Sequence, residues 1–212
     1  MLASEDIPEN DPWWFRQPIS GNAVNSELDK PTQRAAFRQI RDSYVNGLTA
    51  QDRSLAFSKI PSPLAKFLAP GKIVAGYVAK GSEVDPAAIL AQAHALGCDL
   101  ALPHVTSKSA PMRFLRWSPD DDLVPGAFGL LQPAETAPEC KPDIVLVPML
   151  AYDDRLIRLG QGAGHYDRAL SVLDQSIAIG LAWSVQFTSA LASDVWDVPL
   201  DAVLTEKSWI TL

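Results

Sequence analysis

The chain has 212 residues, 47% hydrophobic and 20% charged, a composition that suits one domain with its own core, or one domain with a short appendage, and excludes a wholly disordered chain. Eighteen Lys and Arg against 25 Asp and Glu leave a net charge of −7, which speaks against non-specific binding of nucleic acid, since that mode runs on neutralising phosphates. No apolar run approaches the roughly 20 residues that span a bilayer, so neither nucleic acid nor membrane is expected as a partner.

Residues 1–28 are polar, contain Pro8, Pro12 and Pro18, and carry the cluster Trp13, Trp14 and Phe15. They read as an irregular arm whose aromatics dock on the body of the protein or on a partner, and residues 29–212 as the folded domain. The first ten residues lack a basic segment followed by an apolar one, so no secretory signal is expected. A helix is predicted to open at Asp29 as N-cap with Pro31 in its first turn; Phe37, Ile40, Tyr44 and Leu48 recur at helical spacing. A second helical stretch covers residues 49–60 and is broken by Pro61 and Pro63. Residues 72–79 (KIVAGYVA) read as a buried strand, Asp85-Pro86 opens a helix that Gly97 closes, and residues 99–105 (DLALPHV) read as the next strand. Residues 106–142 are Pro- and loop-rich, with a strand near Phe114.

Residues 143–150 (DIVLVPML) form the clearest buried strand, followed by a loop over 151–164, a helix over 166–173 and another apolar strand over 176–183 (SIAIGLAW). A short helical segment near Ser189 and a strand over 202–205 complete the pattern. Continuous apolar strands alternating with amphipathic helices imply an α/β fold: a single three-layer domain, Rossmann-like, with a largely parallel sheet flanked by helices. In such sheets ligands sit at the carboxyl ends of strands, which directs attention to the loop after Leu150. Cys98 and Cys140 form no CxxC pair, and His94, His104 and His165 have no zinc spacing with them. The expectation is a reduced, cytoplasmic protein, a monomer or dimer, acting on a small molecule.

Residues 158–168 (RLGQGAGHYDR) place three alternating glycines between a buried strand and a helix. Glycine tolerates positive φ and lets successive N–H groups converge on an anion, and the following helix adds its unpaired N–H groups. The segment is neither a P-loop nor the dinucleotide GxGxxG, and the same spacing suits a flexible turn without ligand. It contains no Lys, so cations must come from Arg158, Arg168 and the first helix. There Lys30, Arg34, Arg38 and Arg41 fall on one face. Lys30 sits where the helix dipole disfavours a cation unless an anion lies beside it; Arg38 and Arg41 read as a solvated basic face. Asp167 and Asp197 are candidate ligands for Mg²⁺, although a lone Asp often only caps a turn. On spacing alone Glu83 fits either a cleft residue or a solvated one. His165 reads as a packing or base-stacking residue rather than a general base.

Together these segments resemble the 5-formyltetrahydrofolate cyclo-ligase family, also called 5,10-methenyltetrahydrofolate synthetase, over roughly residues 30–206. The most specific stretch is residues 143–170 (DIVLVPMLAYDDRLIRLGQGAGHYDRAL); Lys30 and Arg34, residues 77–85 (YVAKGSEVD), 126–133 (GAFGLLQP), 181–186 (LAWSVQ) and 197–206 (DVPLDAVLTE) add matches in order. The resemblance implies a layered α/β sheet and an ATP- and Mg²⁺-dependent cyclisation of 5-formyltetrahydrofolate to 5,10-methenyltetrahydrofolate with release of ADP and phosphate. By position it implies that Lys30, Arg34, Arg158, Leu159, Gly160, Gln161, Gly162, Ala163, Gly164, His165 and Tyr166 contact ATP, with Lys30 and Arg158 acting in catalysis. Asp167 and Asp197 would hold Mg²⁺; Val78, Glu83, Gly162, Gly164 and Tyr166 would line the folate site.

Three positions depart from the family pattern. His165 stands where many relatives carry a first tyrosine, Leu156 where they often have Gly, and Ala163 where they often have Lys or Gly, which shifts phosphate binding onto Lys30, Arg34 and Arg158. Activating a formamide oxygen and closing a ring is mostly positioning and charge stabilisation, so no Ser-His-Asp arrangement is required. The competing expectations are a non-catalytic nucleotide- or folate-binding regulator on the same scaffold, and an isomerase or transferase for sugar phosphates or CoA esters with no need for nucleotide.

Overall fold

Asp29 caps the first helix in the computed structural model, which describes residues 29–212; the expected arm with Trp13, Trp14 and Phe15 lies outside the described residues. Helix α1 (Lys30–Gly47) begins with the Asp29 carboxylate accepting the Thr32 N–H at 2.9 Å and Pro31 in the first turn. It buries a stripe at every fourth residue, Gln33, Phe37, Arg41 and Val45. The helix expected over 49–60 is shorter. Helix α2 (Ala50–Leu55) is capped by Thr49 and buries no residue, so no packing prolongs it, and α3 (Ser62–Ala65) starts after Pro61.

Strand β1 (Ile73–Ala75) ends four residues earlier than the apolar run suggests, because the chain turns at residues 77–84, where the Tyr77 hydroxyl donates to the Val84 carbonyl at 2.7 Å. Helix α4 (Ala87–Ala95) follows and ends at Gly97, whose φ is 87°. Then come β2 (Asp99–His104), β3 (Arg113–Trp117), β4 (Glu139–Cys140) and β5 (Ile144–Pro148). Helix α5 (His165–Leu170), β6 (Ile177–Leu181), β7 (Ala202–Leu204) and β8 (Trp209–Ile210) complete the main elements. The helix expected near Ser189 is absent; a 3-10 turn at Ser184–Gln186 stands before it.

The sheet order is β8-β7-β6-β5-β1-β2-β3-β4. The five strands from β7 to β2 are parallel, and the outer ones pair antiparallel. Alternate residues feed two cores. Val74, Leu100, Ile144, Leu146 and Ile179 meet Val45 of α1 and Ile89 and Leu90 of α4. Ala75, Ala101, Val145, Val147 and Ala178 meet Ala169 and Leu170 of α5. That is the expected three-layer α/β arrangement. A third cluster, Phe37 with Leu150, Leu159 and Leu191, lays the first half of α1 across the loop that follows β5.

From β1 the chain runs through α4 to β2 on one side; from β5 it runs through α5 to β6 on the other. The two connections diverge at the neighbouring carboxyl ends of β1 and β5, which makes that point the topological switch of the sheet.

Candidate active site

A cavity of about 1210 Å³ opens at this switch point. Its lining contains every candidate residue taken from the sequence: Lys30, Arg34, Val78, Glu83, the whole segment Arg158 to Tyr166, Asp167 and Asp197. Eight Lys and Arg against five Asp and Glu line it, the reverse of the chain's overall −7. The volume exceeds the 300–1,000 Å³ usual for one small ligand.

The loop after β5 is more ordered than expected. Ala151–Tyr152 pairs with Arg158–Leu159 as a short antiparallel ribbon. Fully buried Asp153 ties its turn, accepting from the N–H groups of Arg155, Ile157 and Leu191 at 3.0, 3.0 and 3.1 Å. Leu156 has φ 58°. Its burial and its N–H bond to the Asp153 carbonyl at 3.0 Å hold it in that left-handed conformation.

Beyond the ribbon, Gly162 has φ 101° and Gly164, the N-cap of α5, has φ 66°. A Cβ on Gly162 would also stand 3.2 Å from the Arg34 guanidinium carbon. Arg34 Nε donates to the Gly160 carbonyl at 2.9 Å, and Arg38 Nη2 to Gln161 Oε1 at 2.8 Å. Arg38 is thus exposed but engaged with the loop. The N–H groups of Gln161, Gly162, Ala163 and Gly164 have no acceptor among the described residues, so the loop keeps donors for an anion. Helix α5 has only six residues, so the arginines, more than its dipole, supply positive charge.

Arg158 Nη2 pairs with Asp167 Oδ1 at 2.5 Å, and Nη1 donates to the Val198 carbonyl. Burial pushes the Arg158 pKa down while Asp167 and Asp197 oppose the shift. Lys30 Nζ pairs with Asp194 Oδ2 at 2.6 Å and Asp197 Oδ2 at 2.7 Å. Burial works against its charge, but the two carboxylates outweigh burial and its pKa lies above the ordinary lysine value.

Both proposed metal ligands therefore face cations already. Each still keeps one carboxylate oxygen, Oδ2 of Asp167 and Oδ1 of Asp197, without a hydrogen-bond partner among the described residues. Among those residues no group of three or more His, Cys, Asp or Glu could hold a metal alone. Two hard oxygen donors fit Mg²⁺ of the kind that takes one or two carboxylates and completes its shell with phosphate oxygens and water.

Across the cavity, Glu83 Oε2 accepts the Lys80 N–H at 3.0 Å, and Oε1 accepts from Gln161 Nε2 at 3.4 Å. The Tyr166 hydroxyl is buried without a partner, and burial, with Glu83 nearby, raises its pKa well above the ordinary value. His165 packs its ring 6.2 Å from Phe128, with Nδ1 3.2 Å from Arg168 Nη2. Burial and Arg168 lower its pKa.

Arg41 is not on a solvated face: it is 4% exposed, lines the cavity, and donates from Nε to Ser82 Oγ at 2.9 Å. Periodicity places it beside Arg34 and Arg38 without revealing that the helix face meets a cavity. Sequence reasoning also left unassigned the wall made by Lys80, Lys108, Phe128 and Leu131, and the exposed Trp196 between the two acidic residues of the 194–197 turn. The 126–133 match and the Asp-Val-Trp-Asp spacing were the available signals.

A model of the 5-formyltetrahydrofolate cyclo-ligase family matches residues 26–206. The chain is similar to the 5-formyltetrahydrofolate cyclo-ligase of Mycolicibacterium smegmatis, with 34% identity over 151 residues, 66% of this chain and 76% of that protein. Similarity to the Haemophilus influenzae enzyme of the same name is 36% over 97 residues, 43% of this chain and 52% of that one. The solution structure of Aquifex aeolicus 5,10-methenyltetrahydrofolate synthetase superposes with a TM-score of 0.69 at 28% identity, covering 87% of this chain and 93% of that one.

Proposed function

The chain belongs to the 5-formyltetrahydrofolate cyclo-ligase family, and we infer that it converts 5-formyltetrahydrofolate to 5,10-methenyltetrahydrofolate in the cytosol, using ATP and Mg²⁺ and releasing ADP and phosphate. The observation that carries the inference is the convergence of all the motif residues on one cavity at the switch point. ATP supplies the phosphoryl group that turns the formyl oxygen into a leaving group, so that N10, losing its proton, closes the ring as phosphate departs.

The rest of the work falls to the protein. The free N–H groups of residues 161–164, with Arg34 and Lys30, bind phosphate oxygens. Arg158, oriented by Asp167 and the Val198 carbonyl, stabilises charge on the transferred group. The second oxygens of Asp167 and Asp197 would hold Mg²⁺, which would supply neutralisation of phosphate charge. Val78, Glu83 and Tyr166 shape the folate side, close enough to the glycine loop, through the Gln161–Glu83 contact, for the two substrates to meet. Free thiols at Cys98 and Cys140 are in keeping with a reducing compartment.

The test is spectroscopic. Purified protein with 5-formyltetrahydrofolate should build up methenyl-folate absorbance only when ATP and Mg²⁺ are both present. Absorbance that stays flat with both, or rises equally without nucleotide, would overturn the reading.

A further inference from the structure

Arg41 and Arg158 are the buried cations among the described residues. Arg158 has a close carboxylate and a place in the phosphate-binding wall; Arg41 has neither. Its nearest carboxylate oxygen is Glu83 Oε1, 3.9 Å from Nη1, and Nη1 also donates to the Met149 carbonyl at 3.4 Å. Nε donates to Ser82 Oγ, and the Ser82 hydroxyl in turn donates to Asp42 Oδ1. One guanidinium therefore joins three segments: α1, the turn after β1, and the first residue beyond β5. Those strands flank the switch point.

Burying a guanidinium against one loose carboxylate is a poor route to stability, since apolar replacement of buried ion pairs is often neutral or stabilising. An apolar residue would simply continue the Phe37 and Val45 stripe. What an apolar residue could not do is orient the 80–83 turn. Glu83 is held at Oε2 by the Lys80 N–H, and at Oε1 it lies between Arg41 and Gln161; Gln161 is steadied in turn by Arg38.

We propose that Arg41 is a positioning residue for the folate half of the cavity, fixing Ser82 and Glu83 against the end of β5 so that this wall is set before substrate arrives. The proposal rests on the reading of residues 78–83 as the folate wall. Preorganisation of this kind acts on affinity for one substrate and leaves the phosphate wall, built on Lys30, Arg34 and Arg158, unchanged.

The experiment compares Arg41→Met and Arg41→Lys with wild type, measuring 5-formyltetrahydrofolate binding by calorimetry without nucleotide, steady-state kinetics against each substrate, and Tm. Arg41→Met should weaken folate binding and raise the folate KM about tenfold, with the KM for ATP and the Tm nearly unchanged; Arg41→Lys should recover part of the loss. In a Glu83→Gln background the same substitution should add little, because its route of action is gone. Unchanged folate affinity, or equal losses toward both substrates, would overturn the proposal in favour of a scaffold role. If Arg41→Met does not fold, Ser82→Ala decides: it removes the Nε acceptor and should weaken folate binding severalfold, and unaltered binding overturns the proposal. Wild-type protein that fails to bind 5-formyltetrahydrofolate sinks the functional reading itself, before any Arg41 variant is compared.

Discussion

The Arg158–Asp167 pair and the pairing of Lys30 with Asp194 and Asp197 border the same cavity at similar contact lengths, 2.5 Å against 2.6 and 2.7 Å, yet the Arg158 side chain is 3% exposed and that of Lys30 22%, with Asp194 at 42%. Burial gives the two pairs different work. Arg158 has little water to fall back on, so its geometry is fixed by Asp167 and the Val198 carbonyl. Lys30 sits at the rim, where an ion pair contributes about 0–1 kcal/mol. In the proposed reaction this rim position lets Lys30 exchange a carboxylate for a phosphate at small cost, freeing an Asp197 oxygen for the proposed metal.

The largest expected effect tests the buried side. Arg158→Ala should lower kcat/KM by about 100-fold or more and reduce stability to urea by about 3 kcal/mol, the scale of breaking a buried pair. Unchanged stability would place Arg158 with Lys30 and erase the distinction. Lys30→Ala should raise the KM for ATP about tenfold while moving Tm by no more than a degree or two; a stability loss matching that of Arg158→Ala would show that the rim pair is structural after all.

The smallest effect concerns His165, next to the glycine loop. Its pKa in the folded protein lies below the ordinary 6.5 because burial and Arg168 disfavour the imidazolium. The unfolded chain therefore takes the proton first as pH falls. The associated stability is present above the unfolded value and is lost as pH drops from there through the folded pKa. A proton NMR titration should give His165 a midpoint below 6.5, and His165→Gln should flatten the acid-side fall of Tm. A midpoint above 6.5 would mean that an anion, not Arg168, governs this corner.

The sequence made the parallel core legible because its strands are long apolar runs, and it made the glycine loop legible because Gly162 and Gly164 stand where φ is positive. Arg41 was misread for a physical reason: a spacing of four, four and three fixes which side chains share a helix face, but not whether that face meets water or a cleft. The stretch from 106 to 142 resisted for another reason. Apart from β3, its strands at 124–125, 131–132 and 139–140 have two residues each, too few to show alternation. Its wall of the cavity, including Phe128 at φ 60°, emerges only once Lys80 and His165 are brought beside it. Asp167 and Asp197, the residues expected to hold a metal, both line the cavity; their pairing with cations is not legible in the sequence, since Lys30 and Asp197 lie 167 positions apart.

The sheet's two margins carry a consequence for how copies of this protein coexist at high concentration. Among the described residues the last strand on one flank is Glu139–Cys140 and on the other Trp209–Ile210, each a single dipeptide long. Such short ends offer a neighbouring molecule almost no ladder of unsatisfied main-chain groups to extend. The long, fully apolar strands most prone to zip together are shut away in the middle, so crowding alone gives this fold little opportunity to grow into a fibre.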